Sequence, residues 1–395
     1  MALRPGCFTV RQVNAGLALL ARVGVEAAIA ETVGSIGEFG LIRALASRMP
    51  AGRLTSVGIG DDSAVVATPS GSVVAAVDLV LEGRHFRRSW SSAYDVGVKA
   101  AARSLADIAA MGALPTALLV AVALPGSLPA SWALDLASGM ASEADRAGAG
   151  VVGGDTASAD SVVVSVTALG DLDGLSPVQR GGARVGDVVA VAGLLGHSAA
   201  GLALLAAGVP EAEARFGALL AAHRRPAPPY SKGPQAARSG ATAMIDVSDG
   251  LIADLGHIAA ASRVDIDVSI ASLEPFLGSL LSEAAMAVGA TAADTDAVVV
   301  DAVVVDSAVT NTDRPTALGW VLAGGEDHSL VATFPPSATL PPGWQVIGVV
   351  CPMSDAPQPD APLSGAPLAR DSDHGGRVTV DGHAYDASAG WEHFR

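Results

Sequence analysis

The segment Met244-Ile-Asp-Val-Ser-Asp-Gly-Leu-Ile-Ala-Asp254 decides the fold class, because an apolar run gives way there to a helix pattern across a short turn. Leu251, Leu255 and Ile258 recur at helical spacing, so we expect a helix that opens at Ser248-Asp249. A buried strand followed at once by a helix is typical of proteins that pack helices on a sheet. The sequence therefore predicts a mixed α+β fold.

Strand and helix patterns alternate in the same way along the rest of the chain. Residues 116–124 suit a buried strand, and Ser127 with Pro129 opens a helix. A turn-rich break over residues 173–182 follows the strand pattern of residues 165–170, so we place a domain boundary there. We expect an N-terminal extension at 1–30, a first domain at 31–176, and a second domain at 177–395 that carries insertions near 292–315 and 352–376.

The turn Pro69-Ser-Gly-Ser72 lies between two apolar runs, and this arrangement predicts a β-hairpin. Pairing outward from the turn would bring Asp61 and Asp62 close to Asp78 on the neighbouring strand. We therefore expect carboxylates to gather at one end of the hairpin.

The charge and cysteine content exclude several classes of protein. A formal net charge of -16 argues against nucleic acid as a partner, because binding phosphates requires a basic face. Cys7 and Cys351 have no metal-type partner at close spacing, so a reducing cytoplasm is the simplest setting. The uncharged stretch at 108–134 is interrupted by prolines, which argues against a membrane span.

Aspartates stand at five places along the chain, and most of these lie where a strand or an apolar run meets glycine. These are Asp61 with Asp62, Asp78, Asp107, Asp155, and Asp246 with Asp249. Any one of them is more simply explained as a turn residue or a helix cap. Together they favour a magnesium site, because Mg²⁺ is usually held by a few carboxylates and by substrate phosphates.

The sequence contains no Gly-x-x-x-x-Gly-Lys-Ser/Thr loop, so a nucleotide would be bound without that phosphate cradle. Gly153-Gly154 can offer backbone N–H groups to a phosphate. Ser248-Asp249 opens a helix, and helix N-termini attract phosphate groups. We expect metal ions to bridge the nucleotide and the protein.

An ordered set of motifs resembles the thiamine-monophosphate kinase family. The motifs are Gly37-Glu-Phe, Gly60-Asp-Asp-Ser-Ala-Val, Asp78-Leu-Val-Leu-Glu-Gly-Arg-His-Phe86, Asp107-Ile-Ala-Ala-Met-Gly-Ala113, Gly153-Gly-Asp-Thr, Arg180, Asp246-Val-Ser-Asp-Gly-Leu and Gly324-Gly-Glu-Asp327. The resemblance extends from about residue 34 to the C-terminus. It implies the two-domain fold of aminoimidazole ribonucleotide synthetase, a homodimer formed through the N-terminal lobes, and ATP-dependent phosphorylation of thiamine monophosphate to thiamine diphosphate.

The resemblance also implies roles for single residues. The Mg²⁺ ligands would be Asp61, Asp78, Asp107, Asp155, Asp246 and Asp249, and ATP would contact Gly154, Asp155, Arg180 and Ser248. Thiamine phosphate would face His85, Glu326, Asp327 and Trp391, with a carboxylate and the indole ring meeting the thiazolium cation. Catalysis would depend above all on Asp155, Asp249 and Arg180.

The implied reaction is a direct in-line transfer. A phosphomonoester has a second pKa of about 6, so the acceptor is largely dianionic at neutral pH and needs no general base. Charge neutralisation and alignment would then carry the catalysis.

The chain departs from the family pattern at two motifs. Ser104-Leu-Ala-Asp107 stands where Asn-Leu-Ser-Asp is common, and His328-Ser329 stands where Tyr-Glu follows Gly-Gly-Glu-Asp. These changes leave open a non-catalytic nucleotide-binding regulator. Aminoimidazole ribonucleotide synthetase is the nearest enzymatic alternative.

Overall fold

The structure is a computed structural model that describes residues 32–50, 52–57, 59, 64–294, 316–354 and 376–385. The expected N-terminal extension, most of both expected insertions, Asp61 and Trp391 lie outside these residues.

Helices and strands alternate along the described chain. The strands are β1 Thr55–Val57, β2 Val65–Val66, β3 Val74–Leu81, β4 Leu114–Leu124, β5 Gly150–Ser158, β6 Val163–Asp171, β7 Val188–Ala192, β8 Ala243–Val247, β9 Asp265–Val268, β10 Ser329–Phe334, β11 Gln345–Cys351, β12 Val378–Val380 and β13 His383–Ala384. The helices are α1 Val33–Ala46, α2 Ala93–Ala110, α3 Ala130–Ala147, α4 His197–Ala207, α5 Ala212–Arg224, α6 Lys232–Arg238, α7 Leu251–Ser262, α8 Ser279–Asp294 and α9 Ala317–Ala323. The predicted mixed α+β fold is confirmed.

The first lobe is a four-stranded sheet in the order β3-β6-β4-β5, covered by α2 and α3. Ser92 caps α2: its hydroxyl oxygen accepts the Asp95 N–H, and the Asp95 carboxylate accepts the Ser92 N–H, which fixes where the helix begins. The two helices touch through glycine: a Cβ on Gly97 would lie 2.0 Å from the Leu136 carbonyl oxygen. A larger residue would push α2 away from α3, and α2 carries several site residues.

The predicted β-hairpin around residues 69–72 is wrong. β2 pairs with β1, whereas β3 pairs with β6 along its whole length and places Asp78 opposite Val166. The physical reason is length, because β2 offers only two residues while β6 offers β3 a full ladder beside a buried strand. Asp78 is therefore positioned by a strand distant in sequence, not by the local turn.

The second lobe is a seven-stranded sheet in the order β13-β12-β9-β11-β7-β10-β8, antiparallel except where β12 meets β9. One face packs on α4, α5, α7, α8 and α9. From the other face, Met244 and Leu330 enter the same core as Ile108 of α2. Helix α2 therefore lies between the two sheets.

The first sheet ends at Asp171 and the second begins at Val188. Because α2 shares its core with both sheets, the exact division at 176/177 stays a prediction. Within the described ranges, no helix has both the length and the apolar character that a membrane crossing requires.

Candidate active site

Helix α2 carries a stripe of polar residues that faces the second lobe. We call the region between the two lobes at this stripe the seam. Lys99, Arg103 and Asp107 recur every four residues, so they share one face of an otherwise Ala-rich helix. Across the seam lie Asp78 of β3 and Asp246 of β8. The seam is therefore lined by charged groups from both lobes.

The carboxylates at the seam repel one another. Burial, reinforced by Asp246 and Asp78, raises the pKa of Asp107 to about 8, although Arg103 and Arg180 act in the opposite direction. A shift of this kind marks a carboxyl group that is buried and also lies close to other carboxylates. The structure thus brings together three of the predicted metal ligands and places Arg180 within electrostatic reach of them.

Neighbouring side chains hold two of these carboxylates. The Ser104 hydroxyl donates to Asp78 Oδ2 at 2.8 Å and also lies 3.0 Å from the Val166 carbonyl oxygen. Nδ1 of His328 lies 3.0 Å from Asp246 Oδ2. Two of the residues that depart from the family pattern, Ser104 and His328, therefore contact these carboxylates directly.

The turn between β8 and α7 is built around Asp254. Its Oδ2 accepts the backbone N–H groups of Ser248, Asp249 and Gly250 at 3.0, 3.0 and 3.1 Å. Burial and the nearby Asp246 and Asp249 raise the pKa of Asp254 well above its ordinary value. In this structure, the N–H groups that the sequence assigned to phosphate binding at this turn already have a protein acceptor.

Glu326 is paired with two cations from α2. Lys99 Nζ lies 2.6 Å from Oε2, and Arg103 Nη1 lies 2.5 Å from Oε1. Burial alone would raise the pKa of Glu326, but Lys99 and Arg103 outweigh it and hold the pKa well below its usual range. Lys99 also donates to the main-chain oxygen of His85 at 3.2 Å, so Glu326 and His85 meet at one ammonium group.

Asp327 has a different position from its neighbour. Its carboxylate accepts the backbone N–H groups of Gly196 at 2.6 Å and Ser198 at 2.8 Å, at the beginning of α4. Burial raises its pKa to about 7 in spite of these hydrogen bonds. The structure shows Asp327 as a buried helix cap, and contact with the thiamine phosphate stays a prediction.

Gly154 and Asp155 lie on β5, away from the seam. The sheet register places Asp78, Val166, Val120 and Gly154 in one row across three strand spacings. At about 4.8 Å per spacing, this row is roughly 14 Å long. The structure therefore does not bring Asp155 next to Asp78, and among the described residues Asp155 lies apart from the carboxylates at the seam.

Gly154 fits its strand only as glycine, because a Cβ there would lie 1.8 Å from the Val120 carbonyl oxygen. Residues 153–156 border a mainly apolar, partly open cavity of about 90 Å³ between α1, α3 and the sheet. Side chains such as Ile42, Leu45, Leu136 and Met140 line it. The cavity suits a flat apolar group whose polar end reaches Asp155.

Sequence reasoning missed Lys99, Arg103 and Asp254. The four-residue spacing of Lys99, Arg103 and Asp107 was a usable signal, since it puts all three on one helix face. Asp254 gave a weaker signal, because an aspartate in the first turn of a helix is common.

The residues present fit a magnesium ion. The donors near the seam are carboxylate oxygens, and Asp78, Asp107 and Asp246 lie close enough to influence one another electrostatically. Among the described residues, no three acidic, His or Cys side chains are placed to hold an ion by themselves. Mg²⁺ commonly completes its coordination with substrate phosphates and water.

Comparison with known proteins agrees with this geometry. Residues 60–172 match the family model for AIR synthase related protein, N-terminal domain. A solved structure of thiamine-monophosphate kinase from Stenotrophomonas maltophilia gives a TM-score of 0.63 at 28% identity, over 87% of this chain and 95% of that one. The structure of AaThiL complexed with AMPPCP and TMP gives 0.63 at 29% identity, over 91% of this chain and 98% of that one.

The sequence relatives are more similar still. A thiamine-monophosphate kinase from Mycobacterium tuberculosis is 44% identical over 365 residues, which cover 92% of this chain and 93% of that protein. The family resemblance predicted from the motifs is thereby confirmed. With such identity along nearly the whole of both chains, this chain belongs to the thiamine-monophosphate kinase family.

Proposed function

We propose that this chain transfers the γ-phosphate of ATP to thiamine monophosphate, giving thiamine diphosphate and ADP, by direct in-line transfer with Mg²⁺. The observation that carries the proposal is the convergence at one seam of three carboxylates with Lys99, Arg103 and Arg180. The relatives named thiamine-monophosphate kinase, and the AaThiL complex with AMPPCP and TMP, support the choice of substrates.

The adenine of ATP would occupy the cavity beside Gly154 and Asp155. Its lining is apolar and its edge is the Gly153-Gly154 backbone, which lies close to any bound group because neither residue has a side chain. The triphosphate would then extend from Asp155 toward Asp78, Asp107 and Asp246. A bound ATP would then span the distance between Asp155 and the carboxylates at the seam.

Asp78, Asp107, Asp155, Asp246 and Asp249, together with Asp61, would hold Mg²⁺. Bound Mg²⁺ neutralises phosphate oxygens and so lets the two substrates approach each other. Arg180, exposed on the 3-10 turn Arg180–Gly182, would add a positive charge from the second lobe.

The acceptor needs no general base, because the phosphate of thiamine monophosphate is largely dianionic at neutral pH. What the protein must supply is alignment and positive charge. His85 and Glu326 lie at the same ammonium group, on the side of the seam where the thiamine would bind, and Trp391 would complete that side.

The proposed assembly is a homodimer formed through the first sheet. Val77 and Leu79 of β3 are 65% and 51% exposed, and Leu119 of β4 is 36% exposed. Such an apolar sheet face usually marks a protein interface. Because ATP is the phosphate donor, the proposed setting is the cytoplasm.

Phosphorus NMR tests the reaction directly. Incubation with ATP, Mg²⁺ and thiamine monophosphate should produce ADP and the two phosphate signals of thiamine diphosphate, and EDTA should stop the reaction. Asp249→Asn should retain the fold and lose turnover, because it removes one anionic ligand.

The same experiment separates the alternatives. Binding of ATP with no transfer to thiamine monophosphate would favour a regulator, which the changed residues Ser104 and His328 make worth testing. ATP hydrolysis that depends on an amidine substrate would favour aminoimidazole ribonucleotide synthetase. Either result would reject the proposed function.

A further inference from the structure

Arg103 stands between the two groups of residues that the proposed function uses. Its Nη1 donates to Glu326 Oε1 at 2.5 Å, and its Nη2 lies 3.8 Å from Asp78 Oδ1. The side chain is only 12% exposed. The guanidinium therefore joins the thiamine side of the seam to the metal side.

Glu326 is fully engaged by α2. Lys99 takes Oε2 while Arg103 takes Oε1, and the Glu326 N–H donates to the Ser248 carbonyl oxygen at 2.8 Å. Its backbone is held at a positive φ of 63°. A carboxylate fixed in this way, with a buried ammonium already balancing its charge, is poorly placed to serve as the counter-charge of the thiazolium.

Arg103 still has donors to offer. Its contact with Asp78 is too long for a hydrogen bond, and among the described residues its buried Nε has no hydrogen-bond partner. A guanidinium has five N–H donors in a fixed plane that matches the oxygens of a phosphate. Only one of these donors is committed by a short contact to Glu326.

The acceptor phosphate must lie where Arg103 lies. In the proposed reaction this phosphate attacks a γ-phosphate held near Asp78, while the attached thiamine extends toward Glu326 and His85. The two requirements meet at one place on α2, which is the position of the Arg103 guanidinium.

We propose that Arg103 binds the phosphate of thiamine monophosphate, and that Lys99 and Glu326 position its guanidinium. The inference rests on the proposed function and deepens it. Glu326 then acts through Arg103, which changes its expected role from a partner of the thiazolium to a positioning residue.

Calorimetric titration with two ligands tests this assignment. Thiamine carries the cation without the phosphate, and thiamine monophosphate carries both. Comparing the two affinities therefore separates the contact to the phosphate from the contact to the cation. Both are titrated into the full chain with Mg²⁺ and a non-hydrolysable ATP analogue. The variants are Arg103→Gln, Arg103→Lys and Glu326→Gln, with Arg238→Gln as a matched loss of an exposed arginine that pairs with Asp173.

Arg103→Gln should weaken binding of thiamine monophosphate by about 10- to 100-fold, the range expected for hydrogen bonds to a charged group. Its effect on thiamine should be small. Arg103→Lys should lie between wild type and Arg103→Gln, because it keeps the charge and loses the planar fork. Glu326→Gln should show the same selectivity, and adding it to Arg103→Gln should bring little further loss.

Equal weakening of both ligands by Arg103→Gln would overturn the assignment, as would a selective loss of thiamine binding in Glu326→Gln. Melting temperatures guard against misfolding, and Arg103→Lys remains informative if Glu326→Gln is unstable. Failure of the proposed function is distinct, because wild type would then form no thiamine diphosphate. If wild type makes the diphosphate and Arg103→Gln binds thiamine monophosphate normally, only the role of Arg103 is rejected.

Discussion

His328 holds the carboxylate of Asp246, with Nδ1 lying 3.0 Å from Oδ2 and both side chains buried. His328 stands where the family commonly has tyrosine, and its φ of 51° is in the left-handed region. With Nδ1 protonated, the imidazole donates to one carboxylate oxygen and leaves the other for a cation. Groups that orient a metal ligand in this way commonly affect metal affinity by about 10- to 100-fold.

We therefore expect His328→Phe to raise the Mg²⁺ concentration that gives half-maximal activity by about 10-fold. The affinity for Mn²⁺, measured by electron paramagnetic resonance in the absence of substrates, should fall in parallel. His257→Phe serves as the control, because His257 is exposed on α7. Unchanged Mn²⁺ affinity in His328→Phe would argue that Asp246 needs no support from the imidazole.

Asp254 gives a second prediction, which depends on its raised pKa. A protonated carboxyl group and a carboxamide have nearly the same shape, and either can accept the three backbone N–H groups. Asp254→Asn should therefore melt close to wild type. Asp254→Ala removes the acceptor and should lose about 1–3 kcal/mol of unfolding free energy.

Urea unfolding of the two variants checks this expectation. A large loss of stability in Asp254→Asn would show instead that the turn requires an anionic carboxylate. In that case Asp254 would be ionised in spite of its burial.

The elements that sequence patterns identified correctly are those whose signal is local. The apolar run at 116–124 lies within β4, and the strand pattern of residues 165–170 lies within β6. The helix expected after Pro129 begins at Ala130. The apolar content of a segment and the spacing of its apolar residues are enough to predict such elements, so a single sequence suffices to find them.

The errors have a common cause, which is contact between distant residues. β3 pairs with β6 instead of with the adjacent β2, and no local sequence pattern indicates this pairing. The partner of Lys99 and Arg103 is Glu326, more than two hundred residues away in sequence. Asp327 was expected to face the thiamine phosphate and Asp254 had no expected role, yet the fold uses both to accept backbone N–H groups.

Asp107 predicts how stability changes with pH. Its pKa of about 8 lies above the ordinary aspartate value, so between these two values the folded state binds more protons than the unfolded state. The stabilisation is fully present below the unfolded pKa and is lost as pH rises through about 8. Without metal, this group should lower the unfolding free energy by at most about 1.4 kcal/mol per pH unit.

Chemical unfolding from about pH 6 to pH 9 in EDTA or in Mg²⁺ measures the effect. The stabilisation by Mg²⁺ should grow with pH, because the ion then no longer competes with a proton. Asp107→Asn should flatten the dependence seen in EDTA. An equal slope in wild type and Asp107→Asn would mean that other groups cause it.

The last prediction concerns assembly. Of the described strands, only β6 pairs with β3, so the other edge of β3 is open, and the exposed Val77 and Leu79 lie on the sheet face next to that edge. A long apolar edge strand tends to pair with another chain unless it is covered or charged. We expect the wild-type chain to be a dimer by light scattering and Val77→Lys to be monomeric, since lysine on such an edge opposes pairing. Met286→Lys is the matched control, because Met286 is similarly exposed, at 68%, on α8. If Val77→Lys remains dimeric and Met286→Lys becomes monomeric, the interface lies on the second lobe. A monomeric wild type would reject the proposed dimer.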